Sequence, residues 1–105
     1  MTTTLKEYQA FLVEYSKAYF NLAPTRDHLA ALSLGLAGEA GETVELIKRV
    51  FRGDRTMLDV TEELTKELGD VLAYVLLLCW FFEIDVDELV ATNVTKLSQR
   101  LLDKK

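Results

Sequence analysis

The chain has almost none of the residues that build disulfides or nitrogen- and sulfur-ligated metal centres. Its 105 residues include one cysteine, one histidine and one proline. A single cysteine cannot close an internal disulfide or form a thiolate metal site. A single histidine excludes metal centres that need two or three imidazole ligands. These two absences remove the usual zinc sites from consideration.

Positive charge is scarce as well, with 12 lysines and arginines against 17 acidic residues and a net charge of −5. Binding the phosphate backbone of a nucleic acid requires a basic surface, so we do not expect this acidic chain to bind a nucleic-acid polymer. The longest apolar run, residues 71–82, is too short to span a bilayer. Because Lys6 and Glu7 interrupt the segment that a signal peptide would occupy, we expect a cytoplasmic protein.

Apolar residues make up half of the chain and recur at helical spacing. Disorder is therefore excluded, and the length fits a single domain over residues 1–105. No segment alternates in the way a strand does. Pro24 and a turn at residues 52–56, which contains Gly53, divide the pattern into long stretches. The sequence predicts an all-α fold, a four-helix bundle-like domain with two long central helices.

Capping patterns mark where each helix should begin. They lie at Thr4, Thr25, Thr56 and Asp85. Residues 71–82, near the end of the third helix, are apolar on every face. Three thin neighbouring helices cannot cover such a segment completely, so we expect a homo-oligomer in which a second copy covers its outer face.

Two pairs of carboxylates stand out on the long helices. Glu39 and Glu42 are three residues apart on the second helix, and Glu67 and Asp70 are three apart on the third. Residues at this spacing are neighbours on one helix face. Both pairs are flanked by glycine and apolar residues, where carboxylates need compensation. If the two helices are antiparallel, the four acidic groups meet as one cluster.

Four carboxylates without an imidazole suit Mg²⁺ or Mn²⁺ better than zinc, because hard cations prefer oxygen ligands. A di-iron bundle would need Glu-x-x-His pairs, which the chain lacks. The spacing alone equally allows a solvated acidic face. Glu45, a further three residues along, is either a salt-bridge partner of Lys48 or a base that acts beside the metal.

Three segments together resemble the MazG-like nucleotide pyrophosphohydrolases, an all-α group with an E-x-x-E, spacer, E-x-x-D signature. They are residues 34–46, 66–74 and 93–100. The resemblance implies a Mg²⁺-dependent enzyme, with Mn²⁺ as a possible substitute, that converts a nucleoside triphosphate to a monophosphate and pyrophosphate. It also implies a homodimer or homotetramer. In this family the metal ligands would be Glu39, Glu42, Glu67 and Asp70.

Further functional roles are expected beside metal binding, and for Asn93 and Lys96 the resemblance itself suggests them. Glu42 or Glu45 would take the proton of the attacking water, if not fully engaged with metal. Asn93 and Lys96 would contact substrate, although the sequence without the family describes a solvated face. Tyr74 points to the same side as the carboxylates and either bonds a phosphate or ribose or is a half-buried core tyrosine.

Two further points are open at the level of the sequence. Basic residues concentrate near the end of the second helix, where they either steer a polyanion or compensate the helix dipole. They are Lys48, Arg49, Arg52 and Arg55.

The rival functions are a non-catalytic helical oligomerisation module with a structural Mg²⁺ site and a nucleotide-sensing module. The acidic motif does not set the preference for base or sugar.

Overall fold

A computed structural model describes residues 2–104 as four α-helices joined by short connections. The helices are α1 (Leu5–Phe20), α2 (Arg26–Phe51), α3 (Met57–Phe81) and α4 (Val86–Asp103). Residues 2–104 contain no strand. The prediction of an all-α chain with two long central helices is confirmed.

Each helix begins directly after the residue that the sequence predicted as its cap. The hydroxyls of Thr4, Thr25 and Thr56 and the carboxylate of Asp85 each accept a hydrogen bond from a backbone N–H of the first turn. Thr4 and Thr56 form complete capping boxes, because the side chain of the third helical residue accepts a hydrogen bond from the backbone N–H of the cap. These contacts satisfy amide groups that have no partner inside the helix.

The connection at residues 52–56 folds α2 back along α3 as an antiparallel pair. Gly53 adopts a left-handed backbone angle of φ 80° there, a conformation that glycine accepts without steric cost. The two long helices pack along much of their length, with Thr43, Leu46 and Val60 buried at the end near the turn. This pairing sets the middle of α2 against the middle of α3.

The main core lies at the other end of the pair, where α1 and the start of α4 join it. Its buried residues are Leu12, Val13, Leu22, Leu32, Leu76, Leu77, Cys79 and Val86. The helix α1 is fixed to α3 by a hydrogen bond of 2.9 Å, in which the Gln9 side-chain amide donates to the carbonyl of Leu76. The core is therefore built mainly by α1, the start of α2 and the second half of α3.

Only the beginning of α4 reaches this core, through Val86 and Leu89. Its start is held to α1 by Lys6, whose amine lies 3.2 Å from a carboxylate oxygen of both Asp85 and Asp87. The radius of gyration is 16.6 Å, against about 13 Å for a compact domain of this length. The fold is an open arrangement of four helices.

The open arrangement leaves large apolar side chains exposed, but mostly outside residues 71–82, the segment that we expected a second copy to cover. Within residues 71–82 only Leu72 and Phe82 are exposed, because α1, α2 and the first residues of α4 cover most of the segment. The apolar stripe of α4 is exposed instead, at Val90, Val94, Leu97 and Leu101. None of the described helices is long and apolar enough to cross a membrane.

Candidate metal centre

Three carboxylates converge where α2 and α3 pass each other. Glu39 comes from the middle of α2, and Glu67 and Asp70 come from the middle of α3. One oxygen atom of each lies within 4.8 Å of those of the other two. Glu39 and Glu67 are half-buried, and Asp70 is exposed to solvent. The antiparallel pairing of two long helices thus joins residues that are distant in sequence.

Two of these carboxylates have an oxygen that nothing on the protein compensates. Oε2 of Glu39 and Oε2 of Glu67 are buried and have no hydrogen-bond partner among the described residues. Burial raises the pKa of Glu39 to about 7, helped by the neighbouring Glu67 carboxyl group and by the charges of Glu42 and Asp70. The fold therefore keeps carboxylates together at an electrostatic cost.

The donor set of this cluster fits a hard divalent cation. All available ligand atoms are carboxylate oxygens, and residues 2–104 hold no other group of three or more potential ligands in such proximity. Mg²⁺ and Mn²⁺ prefer oxygen ligands, whereas zinc prefers nitrogen and sulfur. A divalent ion would satisfy both uncompensated oxygens and offset the burial and the repulsion that together raise the pKa of Glu39.

Glu42, the fourth predicted ligand, lies beside this group of three. It is exposed, and its charge acts on Glu39. No ion pair within 4 Å joins it to a described basic residue. Glu42 therefore keeps a free carboxylate next to the cluster.

Glu45 is engaged with a lysine one helical turn away. Its Oε2 lies 3.1 Å from the Lys48 amine, which is the salt bridge that the sequence offered as one of two readings. The hydrogen bond from Lys48 and its charge lower the pKa of Glu45. Glu45 is therefore engaged by a basic residue, whereas Glu42 has no ion pair within 4 Å among the described residues.

One side of the cluster opens into an acidic cleft of about 540 Å³ between α2 and α3. The cleft is lined by Gly38, Gly41, Glu42, Glu45, Leu46, Arg49, Glu63 and Glu67. Added Cβ atoms at Gly38 and Gly41 would meet no neighbour within 4 Å. The small residues flanking the E-x-x-E motif thus leave open space beside the carboxylates.

The other side opens into an aromatic cleft of about 500 Å³, which the sequence did not reveal. Glu39 and Asp70 line it together with aromatic and apolar residues of α1 and α3, including Tyr8, Phe11 and Tyr15. The rings of Phe11 and Tyr15 stack with centroids 6.1 Å apart. Their four-residue spacing on α1 is the sequence signal that indicates this stacked pair.

Tyr74 lines the aromatic cleft on the same side as Glu39 and Asp70. It is half-buried, and part of its ring packs over Gly35 on α2. Its hydroxyl makes no hydrogen bond to any residue that the structure describes. Tyr74 is therefore both a partly packed core residue and a group that presents a free hydroxyl beside the cluster.

Asn93 and Lys96 lie elsewhere in the single chain. Both are exposed on α4, and neither lines the acidic or the aromatic cleft. His28, by contrast, lies at the aromatic cleft, where its Nδ1 is 2.9 Å from the Thr25 hydroxyl. The structure thus gathers Glu39, Glu67, Asp70 and Tyr74 at one place and leaves the two α4 residues apart.

Comparison with known proteins places these residues inside one family domain. Residues 27–102 match the model of the MazG nucleotide pyrophosphohydrolase domain. A "Gene 37 protein" of Mycobacterium phage L5 is 31% identical over 74 residues. That alignment covers 69% of this chain and 65% of the phage protein, so the chain spans less than two thirds of its relative. No solved structure matched with significance. The helix α1, which supplies much of the aromatic cleft, lies outside the family match.

Proposed function

The chain belongs to the MazG nucleotide pyrophosphohydrolase family, and we propose that it is a Mg²⁺-dependent nucleoside triphosphate pyrophosphohydrolase that releases a nucleoside monophosphate and pyrophosphate. One observation carries the proposal: two buried, uncompensated carboxylate oxygens of Glu39 and Glu67 meet Asp70 between two open clefts. We take residues 1–105 as a single domain with this activity.

The metal-binding residues in this proposal are Glu39, Glu67 and Asp70, with Glu42 as the adjoining fourth carboxylate. Mg²⁺ is the expected ion, and Mn²⁺ can replace it because both prefer oxygen ligands. When bound, the ion neutralises the phosphates and lowers the pKa of the attacking water. The protein contributes the fixed positions of its carboxylates, which orient the reacting groups.

Proton transfer is proposed for Glu42 in preference to Glu45. A general base must have a free carboxylate within reach of the water whose proton it takes. Glu42 has no ion pair among the described residues, whereas Glu45 is bound to Lys48 at 3.1 Å. In this arrangement the proton moves from the water oxygen to a carboxylate oxygen of Glu42, and Glu45 is the alternative acceptor.

The nucleoside is proposed to occupy the aromatic cleft. Aromatic rings offer flat apolar faces on which a base can stack, a contact worth about 1–3 kcal/mol per base. Phe11, Tyr15 and Tyr74 line the cleft, and Glu39 and Asp70 stand at its wall. A nucleoside there leaves its phosphates next to the carboxylates, with the Tyr74 hydroxyl free to bond the ribose or a phosphate.

We propose that the protein works as a homodimer or homotetramer. Exposed apolar residues on α4 and an extended single chain support association, because a second copy would remove this surface from water. Asn93 and Lys96 lie on the same exposed helix. They remain predicted substrate contacts that require an assembly to bring α4 near a cleft.

The direct test is a panel of nucleoside and deoxynucleoside triphosphates incubated with Mg²⁺ and assayed for pyrophosphate. We expect pyrophosphate from at least one nucleotide with the wild type and none with Glu67→Gln. Nucleotide binding without any product would instead identify a sensing module. Mg²⁺ binding with neither nucleotide binding nor product would identify an assembly module with a structural ion.

A further inference from the structure

The four basic residues near the end of α2 are not equivalent in the structure. Three of them are paired with carboxylates: the Lys48 amine lies 3.1 Å from Glu45, Arg52 Nε lies 3.2 Å from Asp54, and Arg55 Nη2 lies 2.9 Å from Glu63. Arg49 has no ion pair within 4 Å among the described residues.

Arg49 is also the basic residue of this group that lines the acidic cleft. It follows Glu42 by seven residues, so both lie on nearly the same face of α2, about 10 Å apart along the helix axis. Helical side chains lean toward the N-terminus of their helix, which directs the Arg49 guanidinium back toward Glu42. Its position at the helix end compensates the dipole no better than that of Lys48 or Arg52.

The charged groups of the acidic cleft are suited to an anion that binds together with a divalent metal ion. Of its four carboxylates, Glu45 and Glu63 are already paired with Lys48 and Arg55. Glu67 belongs to the metal cluster, and Glu42 adjoins it. Arg49 is the one basic residue that lines the cleft. Once a divalent metal compensates Glu42 and Glu67, the guanidinium of Arg49 has no carboxylate of the lining left to pair with.

We propose that Arg49 binds the β- and γ-phosphates of the substrate, the part that leaves as pyrophosphate; this inference rests on the proposed function. The aromatic cleft takes the nucleoside on one side of the cluster, so the far end of the triphosphate extends into the acidic cleft. A guanidinium presents five N–H donors in a planar fork that matches phosphate oxygens, which an ammonium group cannot reproduce.

The test compares Arg49→Met with Arg52→Met, which makes the same change of charge one turn away at a residue that does not line the cleft. Calorimetric titration with pyrophosphate and with a nucleoside monophosphate, each with Mg²⁺, is the readout. We expect Arg49→Met to weaken pyrophosphate binding about tenfold or more and to leave monophosphate binding within twofold. Arg52→Met should change both by less than twofold.

A further variant, Arg49→Lys, separates charge from geometry and should restore only part of the pyrophosphate affinity. Equal effects of Arg49→Met and Arg52→Met would overturn the inference, as would an equal loss of pyrophosphate and monophosphate binding. A wild type that binds no pyrophosphate would overturn it too. Circular dichroism melts check that each variant folds.

These outcomes are separate from the fate of the proposed function. If the wild type cleaves nucleotides but Arg49→Met behaves like Arg52→Met, the function stands and the role of Arg49 is wrong. If pyrophosphate binds through Arg49 but no nucleotide is cleaved, the binding site stands and the enzymatic proposal is wrong.

Discussion

Gly35 on α2 leaves the space that the ring of Tyr74 on α3 occupies. A Cβ atom at position 35 would lie 2.8 Å from the Tyr74 hydroxyl oxygen and closer still to the ring. No other described glycine has a neighbour within 4 Å of such an atom. The contact fixes Tyr74 at the wall of the aromatic cleft, near Glu39 and Asp70. The absence of a side chain at Gly35 thus links the packing of α2 against α3 to the position of Tyr74 at the candidate site.

Replacing Gly35 should therefore differ from replacing another helical glycine. Glycine to alanine within a helix normally stabilises a protein by about 0.5–1 kcal/mol. We expect that gain for Gly69→Ala, where nothing blocks a Cβ. The gain should be lost, or reversed, for Gly35→Ala because the Tyr74 ring must move. Urea unfolding of both variants measures the difference, and equal stabilisation would show that Tyr74 is not held by this contact.

The Tyr74 hydroxyl is predicted to contact the substrate. Tyr74→Phe removes a hydroxyl that has no partner in the described structure, so its stability should change by less than about 0.5 kcal/mol. The KM for the preferred nucleotide should rise about tenfold if a hydrogen bond to a charged phosphate is lost. Tyr19→Phe, at a residue 72% exposed and outside both clefts, is the control. Identical KM values for both variants would leave Tyr74 a packing residue.

Without metal, the stability of the protein should fall as the pH rises through the range set by Glu39. The pKa of Glu39 is raised from 4.5 to about 7 in the folded chain, so the folded state holds this proton more tightly than the unfolded state. The stabilisation is complete below about pH 4.5 and is lost as the pH approaches and passes 7. The charges of Glu42, Glu67 and Asp70 contribute to the effect.

Thermal melts in EDTA between pH 5 and 8 measure this dependence. Glu39→Gln should melt higher than the wild type at pH 8, and its melting temperature should vary less with pH. Glu62→Gln, an exposed residue outside the cluster, is the matched control and should follow the wild type. Parallel pH curves for Glu39→Gln and the wild type would mean that the three carboxylates do not converge.

Association should depend on the exposed apolar stripe of α4. The wild type should sediment above the monomer mass of 11.9 kDa at micromolar concentration. Val94→Lys should lower the mass while the helix content stays unchanged, because Val94 is 59% exposed and does not build the core. Thr92→Lys, on the opposite face of α4, should not alter the mass. A monomeric wild type would refute the predicted oligomer.

The sequence predicted the features of this protein that are local. Helix starts at Thr4, Thr25 and Thr56 follow from hydroxyls that bond amides a few residues away. The acidic cluster was also predictable, because the short connection at residues 52–56 forces two long helices to be antiparallel. The convergence of Glu39 with Glu67 and Asp70 follows from that pairing.

Features that depend on packing between distant elements were not predictable. Tyr15 and Tyr19 belong to the apolar stripe of α1 by spacing, yet they are exposed. The buried residues of that helix are Leu12, Val13 and Ser16. The face of α1 that turns inward depends on how α1 sits on α3, which periodicity alone cannot fix. The aromatic cleft follows from the same placement of α1. The lack of an ion pair at Arg49 follows instead from the side-chain pairs that its basic neighbours make near the connection of α2 to α3.

The central claim, that the convergent carboxylates support pyrophosphate release, is tested most directly by ³¹P NMR of the reaction products. The wild type with Mg²⁺ and its preferred triphosphate should give one pyrophosphate and one nucleoside monophosphate per turnover. The signals should be absent in EDTA, and Glu39→Gln should lower the rate by at least two orders of magnitude. Orthophosphate as the first product, or undiminished pyrophosphate release in EDTA, would contradict the account.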